Sequence, residues 1–354
     1  MSSDVVIAGV GARTHAGLTA LQVTMMSRAG KSFPRESHVR DRAGAAIATC
    51  RLASIADNVQ GLQRFVALGA APLAQAAQPW VSMRLAHRDP MVPLLAIVAL
   101  PSDRRPGFDA ALRTHLLPAL QERSGVELDL QRSVLLTRCR AGGAMAMKLA
   151  VDVVARGDVE AVLVGGIDSW FDADALEYLD RDLRLHGPST ENGFIPGEAG
   201  AFVLVTSGRA ARSLYKHARV AAVSVTDEPH PWGHDEPCQA EAMTRALRDA
   251  AAQSTGAHAR RVGWMLTDVT NERHRVDEWE MAASRAFKVF VPSVPHEQPL
   301  LVTGDVGAAS ASLLSVIASV RWQTGCGLSD HAVVALHSDG PERGVIILSA
   351  EARA

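Results

Sequence analysis

Gly193-Phe194-Ile195-Pro196-Gly197-Glu198-Ala199-Gly200-Ala201 is the stretch around which the rest of the chain is most readily organised. Its glycines supply backbone freedom where chains turn or approach closely, and its proline lacks an N–H, so it cannot continue a helix. The short apolar run that follows, 201–205, predicts a buried strand. The reading is a glycine-rich turn feeding an interior strand.

The same pattern recurs on both sides. Residues 161–164 read as a strand running into Gly165-Gly166, and 142–156 before it has helical spacing, closed by Gly157 as a C-terminal cap. The opening run 4–11 is a strand ended by glycines, followed by an Ala-rich helix over 17–28. Further strands are predicted at 94–100, stopped by Pro101, and at 133–137, with helices at 66–77 and 109–121. In the second half the strands are 220–225, 262–266, 333–336 and 344–348. The helices there are 240–252, 278–287 and 308–321, the last opened by the turn 304–307. Strands alternating with helices through both halves predict α/β with largely parallel sheets covered on both faces. No low-complexity linker interrupts the chain, so one compact unit is expected.

At 354 residues the chain can bury a large core, and 47% hydrophobic against 21% charged residues excludes wholesale disorder. A net charge of −2 without a basic block argues against a nucleic-acid partner. Arg13, Thr14, His15 and Arg28 break the first apolar stretch. No run reaches the length of a membrane span, and no basic segment precedes an apolar one at the N-terminus. Cys50, Cys139, Cys238 and Cys326 are scattered without CxxC spacing, as free thiols in a reducing cytoplasm would be.

Taken together, three segments resemble the β-ketoacyl synthase family. Gly157-Asp158-Val159-Glu160-Ala161-Val162-Leu163-Val164-Gly165-Gly166 is similar to its G-x-x-D-x-x-x-x-G-G strand. The 193–201 stretch is similar to its G-F-x-x-G-E-G-A turn. Thr303-Gly304-Asp305-Val306-Gly307-Ala308-Ala309 resembles T-G-H-x-x-G-A-A-G with one residue fewer and aspartate for histidine. The first strand fits as well, and the order agrees over nearly the whole chain. The resemblance implies a thiolase-like fold, a five-layer αβαβα sandwich of two similar halves, 1–210 and 211–354.

It also implies where chemistry ought to be. Family members use a cysteine at the N-terminus of a buried helix, where the dipole favours the thiolate. Two further groups, commonly histidines, assist decarboxylation and stabilise the enolate or oxyanion. Counted without gaps from Lys148-Leu149-Ala150 and Gly157, the nucleophile position is Arg140; a one-residue slip makes it Cys139. A guanidinium cannot be the nucleophile. Cys139 is read more simply as a small apolar side chain buried in a strand. Asp268 stands at the first histidine position, Asp305 at the second, and Leu300 where a lysine is expected. The C-terminal Gly-Phe-Gly-Gly turn is replaced by His337-Ser338-Asp339-Gly340-Pro341, while Asp277 and Glu280 resemble a structural D-x-x-E pair.

An ionised aspartate only accepts hydrogen bonds, and carboxylates near the site raise a thiol's pKa, so a degenerate site is expected: Cys139, Arg140, Asp268, Asp305 and Leu300 as vestigial positions. No cofactor and no metal are expected. His217, His230, His234, His258, His274, His296, His331 and His337 are scattered, and the loop His230-Pro231-Trp232-Gly233-His234-Asp235 is read as solvated rather than metal-binding. The resemblance then implies an inactive partner that dimerises with itself or with another ketosynthase-like chain. Two versions fit. One resembles the accessory proteins of type VI secretion loci, with a secretion effector or spike protein as partner. The other resembles chain-length factors of polyketide or aryl-polyene synthesis, with an acyl carrier protein nearby. The short chain and the joint loss of both histidines and the Gly-rich turn favour the secretion version. An active 3-oxoacyl synthase or acyltransferase using Cys139 is the competing expectation.

Overall fold

A computed structural model describes residues 4–187, 190–254 and 261–351. The strands are β1 (Val5–Thr14), β2 (Arg35–Arg40), β3 (Ala46–Thr49), β4 (Leu95–Ala99), β5 (Val134–Leu136), β6 (Ala161–Ser169), β7 (Glu198–Ser207), β8 (Ala218–Asp227), β9 (Trp264–Thr267), β10 (His296–Glu297), β11 (His331–His337) and β12 (Glu342–Ala350). The helices are α1 (Ala20–Arg28), α2 (Gly61–His87), α3 (Leu112–Ser124), α4 (Cys139–Arg156), α5 (Ala173–Arg181), α6 (Glu241–Gln253), α7 (Arg273–Arg285), α8 (Leu300–Thr303) and α9 (Ser310–Gln323).

The strand order β5-β4-β6-β7-β1 continues as β8-β12-β11-β9-β10. Each set of five has the same internal pattern. Its second strand lies parallel to the third and fourth, its fourth antiparallel to the fifth, and its fifth antiparallel to the first. The two sets join where β1 meets β8 through Val6–Arg219 and Ile7–Ala218. β2 and β3 form a separate hairpin.

Burial sorts the layers. Alternate residues of the first sheet pack with α2 and α3 on its outer face (Leu68, Leu73, Leu116, Leu120 against Ala96, Val98, Leu163, Leu204). The second sheet's outer face packs with α6 and α7 (Met243, Leu247, Trp279 against Val333, Val345). The inner faces of both sheets close on α4 and α9 (Met147, Ala150, Leu313, Ile317 among Val164, Val203, Val334, Ile346). The layers therefore run helix, sheet, helix, sheet, helix, the expected αβαβα sandwich. This is why α9 has no polar face: twelve consecutive residues from Ser310 to Arg321 are buried.

The longest helix was foreshortened in the sequence reading, which gave 66–77. α2 runs 27 residues and accommodates Pro72 and Pro79, each of which removes an intrahelical bond. Packing overrides that cost. Gly9, Gly11 and Gly200 line the facing strands, and a Cβ on them would lie 2.0, 2.0 and 2.4 Å from the carbonyl oxygens of Ala76, Pro72 and Leu68. Only glycine lets α2 settle so closely.

Glu198, from the stretch quoted first, fastens this half from inside. Fully buried, it accepts from Arg64 at 2.6 and 2.8 Å, from Ser169 at 2.9 Å and from the Leu52 N–H at 2.7 Å. Glu198→Ala strands a buried guanidinium, so it is expected to cost about 3–5 kcal/mol in urea unfolding.

Candidate functional site

Two of the glycine-rich stretches meet directly. The Gly197 N–H donates to Asp305 O and the Asp305 N–H to Ile195 O, each at 2.9 Å. Beside them the Gly307 N–H donates to Asp305 Oδ1 and the Ala308 N–H to Asp168 Oδ2, each at 2.8 Å. Two buried carboxylates thus satisfy amides in the turn leading into α9, where unpaired N–H groups favour an acidic group. Asp168 comes from the β6 strand that contains Gly165 and Gly166.

Facing this turn is the start of α4. Cys139 is the first helical residue, with φ +54°, a left-handed conformation uncommon for non-glycine residues. It does not lie in a strand. The chain leaves β5 at Leu136, the Cys139 N–H is tied to Leu100 O at 3.1 Å, and the helix begins there. Its side chain lines a cavity of about 710 Å³ together with Arg104, Arg105, Arg138, Trp170, Tyr178, Arg181 and Asp339. Burial pushes the thiol up to about 11; Arg140 and Arg105 pull it down, while Asp339 and Asp168 push it further up.

Arg140 is fully buried. Its Nη2 donates to Asp305 Oδ2 at 2.5 Å, its Nη1 to Asp339 Oδ1 at 3.4 Å, and Nη1 lies 3.7 Å from Cys139 Sγ. Burial disfavours the guanidinium's charge, but Asp305 and Asp339 outweigh it and hold its pKa well above the ordinary value. Burial likewise opposes the Asp305 anion, and Arg140 and Arg275 more than compensate, holding the carboxylate below its usual range. Asp305 is therefore an acceptor with no proton to give.

Asp268 is engaged elsewhere. It accepts the His337 N–H at 2.8 Å through Oδ2 and pairs with His337 Nδ1 at 2.8 Å through Oδ1. The pair stands at the ends of the neighbouring parallel strands β9 and β11. Leu300, at the start of α8, is an ordinary core residue. Asp277 and Glu280 are exposed on α7, and Asp277 pairs only with Arg273 at 3.6 Å; the buried acid of that helix is Glu278.

Residues the sequence reading did not single out complete the centre. Arg184 grips Glu272 at 2.6 and 3.1 Å and Asp339 at 3.0 and 3.1 Å. Arg275 bonds Asp339 and lies 2.9 Å from Glu272. Three arginines (140, 184, 275) face three carboxylates (Glu272, Asp305, Asp339), so the buried charges balance. Burial opposes the Asp339 anion, but Arg184, Arg275 and Arg140 drive its pKa well below the usual value. Of the histidines, His230 and His234 do meet, with Nδ1 atoms 3.2 Å apart in a loop; His258 lies outside the described residues.

Chemically, this arrangement holds charge in place. Two amides that could greet an oxyanion at the start of α4 are taken: Cys139 N–H by Leu100, and Ala141 N–H by Ser338 Oγ at 3.0 Å. Among the described residues, the carboxylates that act on the thiol, Asp339 and Asp168, are both paired with arginines. The cavity wall mixes charged side chains (Arg104, Arg105, Arg138, Arg181 and Asp339 among them) with Trp170, Tyr178 and two prolines, a more polar lining than the predominantly apolar one that suits an acyl chain.

Comparison with known proteins agrees on the fold. No family model and no curated protein matches the sequence. Among solved structures, the chain resembles the oxazolomycin ketosynthase domain OzmH KS7 of Streptomyces albus JA3453 (15% identity, 99% of this chain and 75% of that one, TM-score 0.76). It resembles AntDE:AntF, a type II polyketide synthase acyl carrier protein in complex with its ketosynthase bound to the hexaketide (14% identity, 99% and 100%, TM-score 0.78). It also resembles the ishigamide ketosynthase/chain length factor (16% identity, 99% and 100%, TM-score 0.77). The architecture is the thiolase-like fold of the ketosynthases.

Two predictions follow from the charge network. Asp305→Ala leaves Arg140 buried without its closest partner and is expected to cost about 3–5 kcal/mol of unfolding free energy. Asp305 and Asp339, with depressed folded-state pKa values, contribute stability that is complete above the unfolded value and lost as pH falls through the folded one. Urea midpoints should therefore drop as pH falls below about 4. Asp168, raised by burial against Arg105, works in the opposite sense in every variant, so a shallower acid limb in Asp339→Asn isolates the Asp339 contribution.

Proposed function

We propose that this chain is a non-condensing ketosynthase-fold subunit that acts through a partner, in the manner of a chain-length factor beside a ketosynthase. The observation that carries the reading is the Arg140–Asp305 pair: it sits where condensation needs neutral donors for a developing oxyanion and replaces them with a closed ion pair. Losing one oxyanion donor typically costs roughly 100- to 1,000-fold in rate. Here the amides are consumed and Asp305 has no proton.

A surface for pairing is consistent with this. β5 is an edge strand with one open side, and Val134 on it and Leu130 just before it are exposed. An unpaired edge with apolar neighbours is a ready template for another chain. The occupant is a second ketosynthase-like chain, identical or not, and an acyl carrier protein is the natural third component. One of the solved structures named above is from a type II polyketide synthase and another is a ketosynthase/chain length factor, which moves the preference from the secretion adaptor to the chain-length-factor version.

Cys139 supports one other reading, an acyltransferase, because its thiol opens on the cavity from a strained helix start. Intact-protein mass spectrometry after incubation with malonyl- and acyl-loaded carrier protein separates the two. The expected result is no adduct. A stable acyl mass gain, lost in Cys139→Ala, contradicts the partner reading.

A further inference from the structure

The loop leaving β8 and entering α6 brings together three ligand-type side chains that have no part in the site above. Glu228 is buried; its Oε2 accepts the Ala242 N–H at 2.8 Å, while its Oε1 has no hydrogen-bond partner among the described residues. Cys238, at the far end of the loop, and Glu278, on α7, each place a ligand atom within 4.8 Å of the others and of a Glu228 oxygen. Glu278 is held by Arg343 at 2.6 and 3.0 Å.

Charge does not close here. Two carboxylates face one guanidinium, and a buried carboxylate oxygen without a partner is costly. Burial, then the Glu278 and Glu228 charges, push the Cys238 thiol up to about 11, with the Ala240 N–H pulling the other way. Anions that disfavour a thiolate by itself favour a cation beside it.

We propose that Glu228, Cys238 and Glu278 form a divalent metal site, with Zn²⁺ the ion that best suits two carboxylate oxygens and one sulfur. Binding releases the Cys238 proton to solvent and forms the metal–sulfur bond with no change of oxidation state. With Cys238 deprotonated the four groups, Arg343 included, carry −2, which the divalent cation neutralises. Zn–O bonds of about 2.0–2.2 Å and Zn–S of about 2.3 Å place tetrahedral donors roughly 3.3–3.7 Å apart, so ligand atoms that lie within 4.8 Å of one another need close by at most about 1.5 Å on binding. Water supplies the fourth position.

The ion would clamp both ends of the loop to α7. The same loop carries Trp232, stacked on His274 with centroids 5.1 Å apart and lying 4.7 Å from the Arg184 guanidinium. The metal thereby fixes the cover over the Arg184–Asp339 cluster, whatever the partner proves to be.

The test uses the full chain, stripped with a chelator and titrated with Zn²⁺ against a chromogenic competitor, and separately with Co²⁺. The account expects one equivalent bound, with a sulfur-to-cobalt charge-transfer band in the near ultraviolet. It expects no such band in Cys238→Ser and Zn²⁺ affinity lower by roughly tenfold or more in Glu228→Gln, with binding intact in the His230→Ala/His234→Ala double variant. Circular dichroism checks that each variant is folded. No binding by the folded wild type overturns the proposal, as does binding retained in both the Cys238 and Glu228 variants. So does binding abolished by the histidine pair, which assigns the ion to the exposed imidazoles.

Discussion

The Arg140–Asp305 ion pair ties the two halves of the molecule together where their equivalent helices meet. α4 and α9 occupy the same place in the two five-strand repeats, and the fold brings their N-termini face to face between the sheets. Such a junction gathers unpaired amides and a positive field, well suited to a thiolate and an oxyanion. Here it is filled by a guanidinium and a carboxylate at 2.5 Å, both without solvent exposure. Neither group can then leave without stranding the other. Arg184, Arg275, Glu272 and Asp339 extend the pair into a neutral cluster that reaches the cavity wall.

Each departure from the ketosynthase pattern gains a structural role. Asp305 accepts the Gly307 N–H ahead of α9. Asp268 anchors His337 across two strand ends. Ser338, from the replaced C-terminal turn, occupies the Ala141 amide. The pieces hold one another in place, and the donor that faces the Cys139 sulfur is the Arg140 guanidinium at 3.7 Å, itself committed to Asp305 and Asp339.

Local signals made much of the fold legible. The turn 193–201, the strand before Gly165-Gly166 and the capped helix ending at Arg156 depend on residues close in sequence, and all three are present. α2 was read only over 66–77, whereas it runs from Gly61 to His87, held by close packing on glycines of distant strands that local spacing does not reveal. Asp268 and Asp305 were read as substituted histidine positions, but their pairing with His337 and Arg140 was not, because the fold and not the local sequence brings those residues together. One compositional sign was available: only four of the 36 basic residues are lysines. Arginine, with its planar set of donors, is the residue that buried ion-pair networks select. Cys139 was misplaced into a strand because the left-handed turn that starts α4 leaves no mark on a cysteine.

The most direct measurement is the pH dependence of Cys139 alkylation in the folded protein, followed by site-resolved peptide mass spectrometry. A thiol pushed up to about 11 by burial stays protonated through neutrality, and the account predicts a rate that is slow at pH 7 and still climbing beyond pH 9. A rate that has already levelled off at or below neutral pH means a standing thiolate at the head of α4. That result would contradict the claim that the arginine–carboxylate centre has displaced acyl-transfer chemistry.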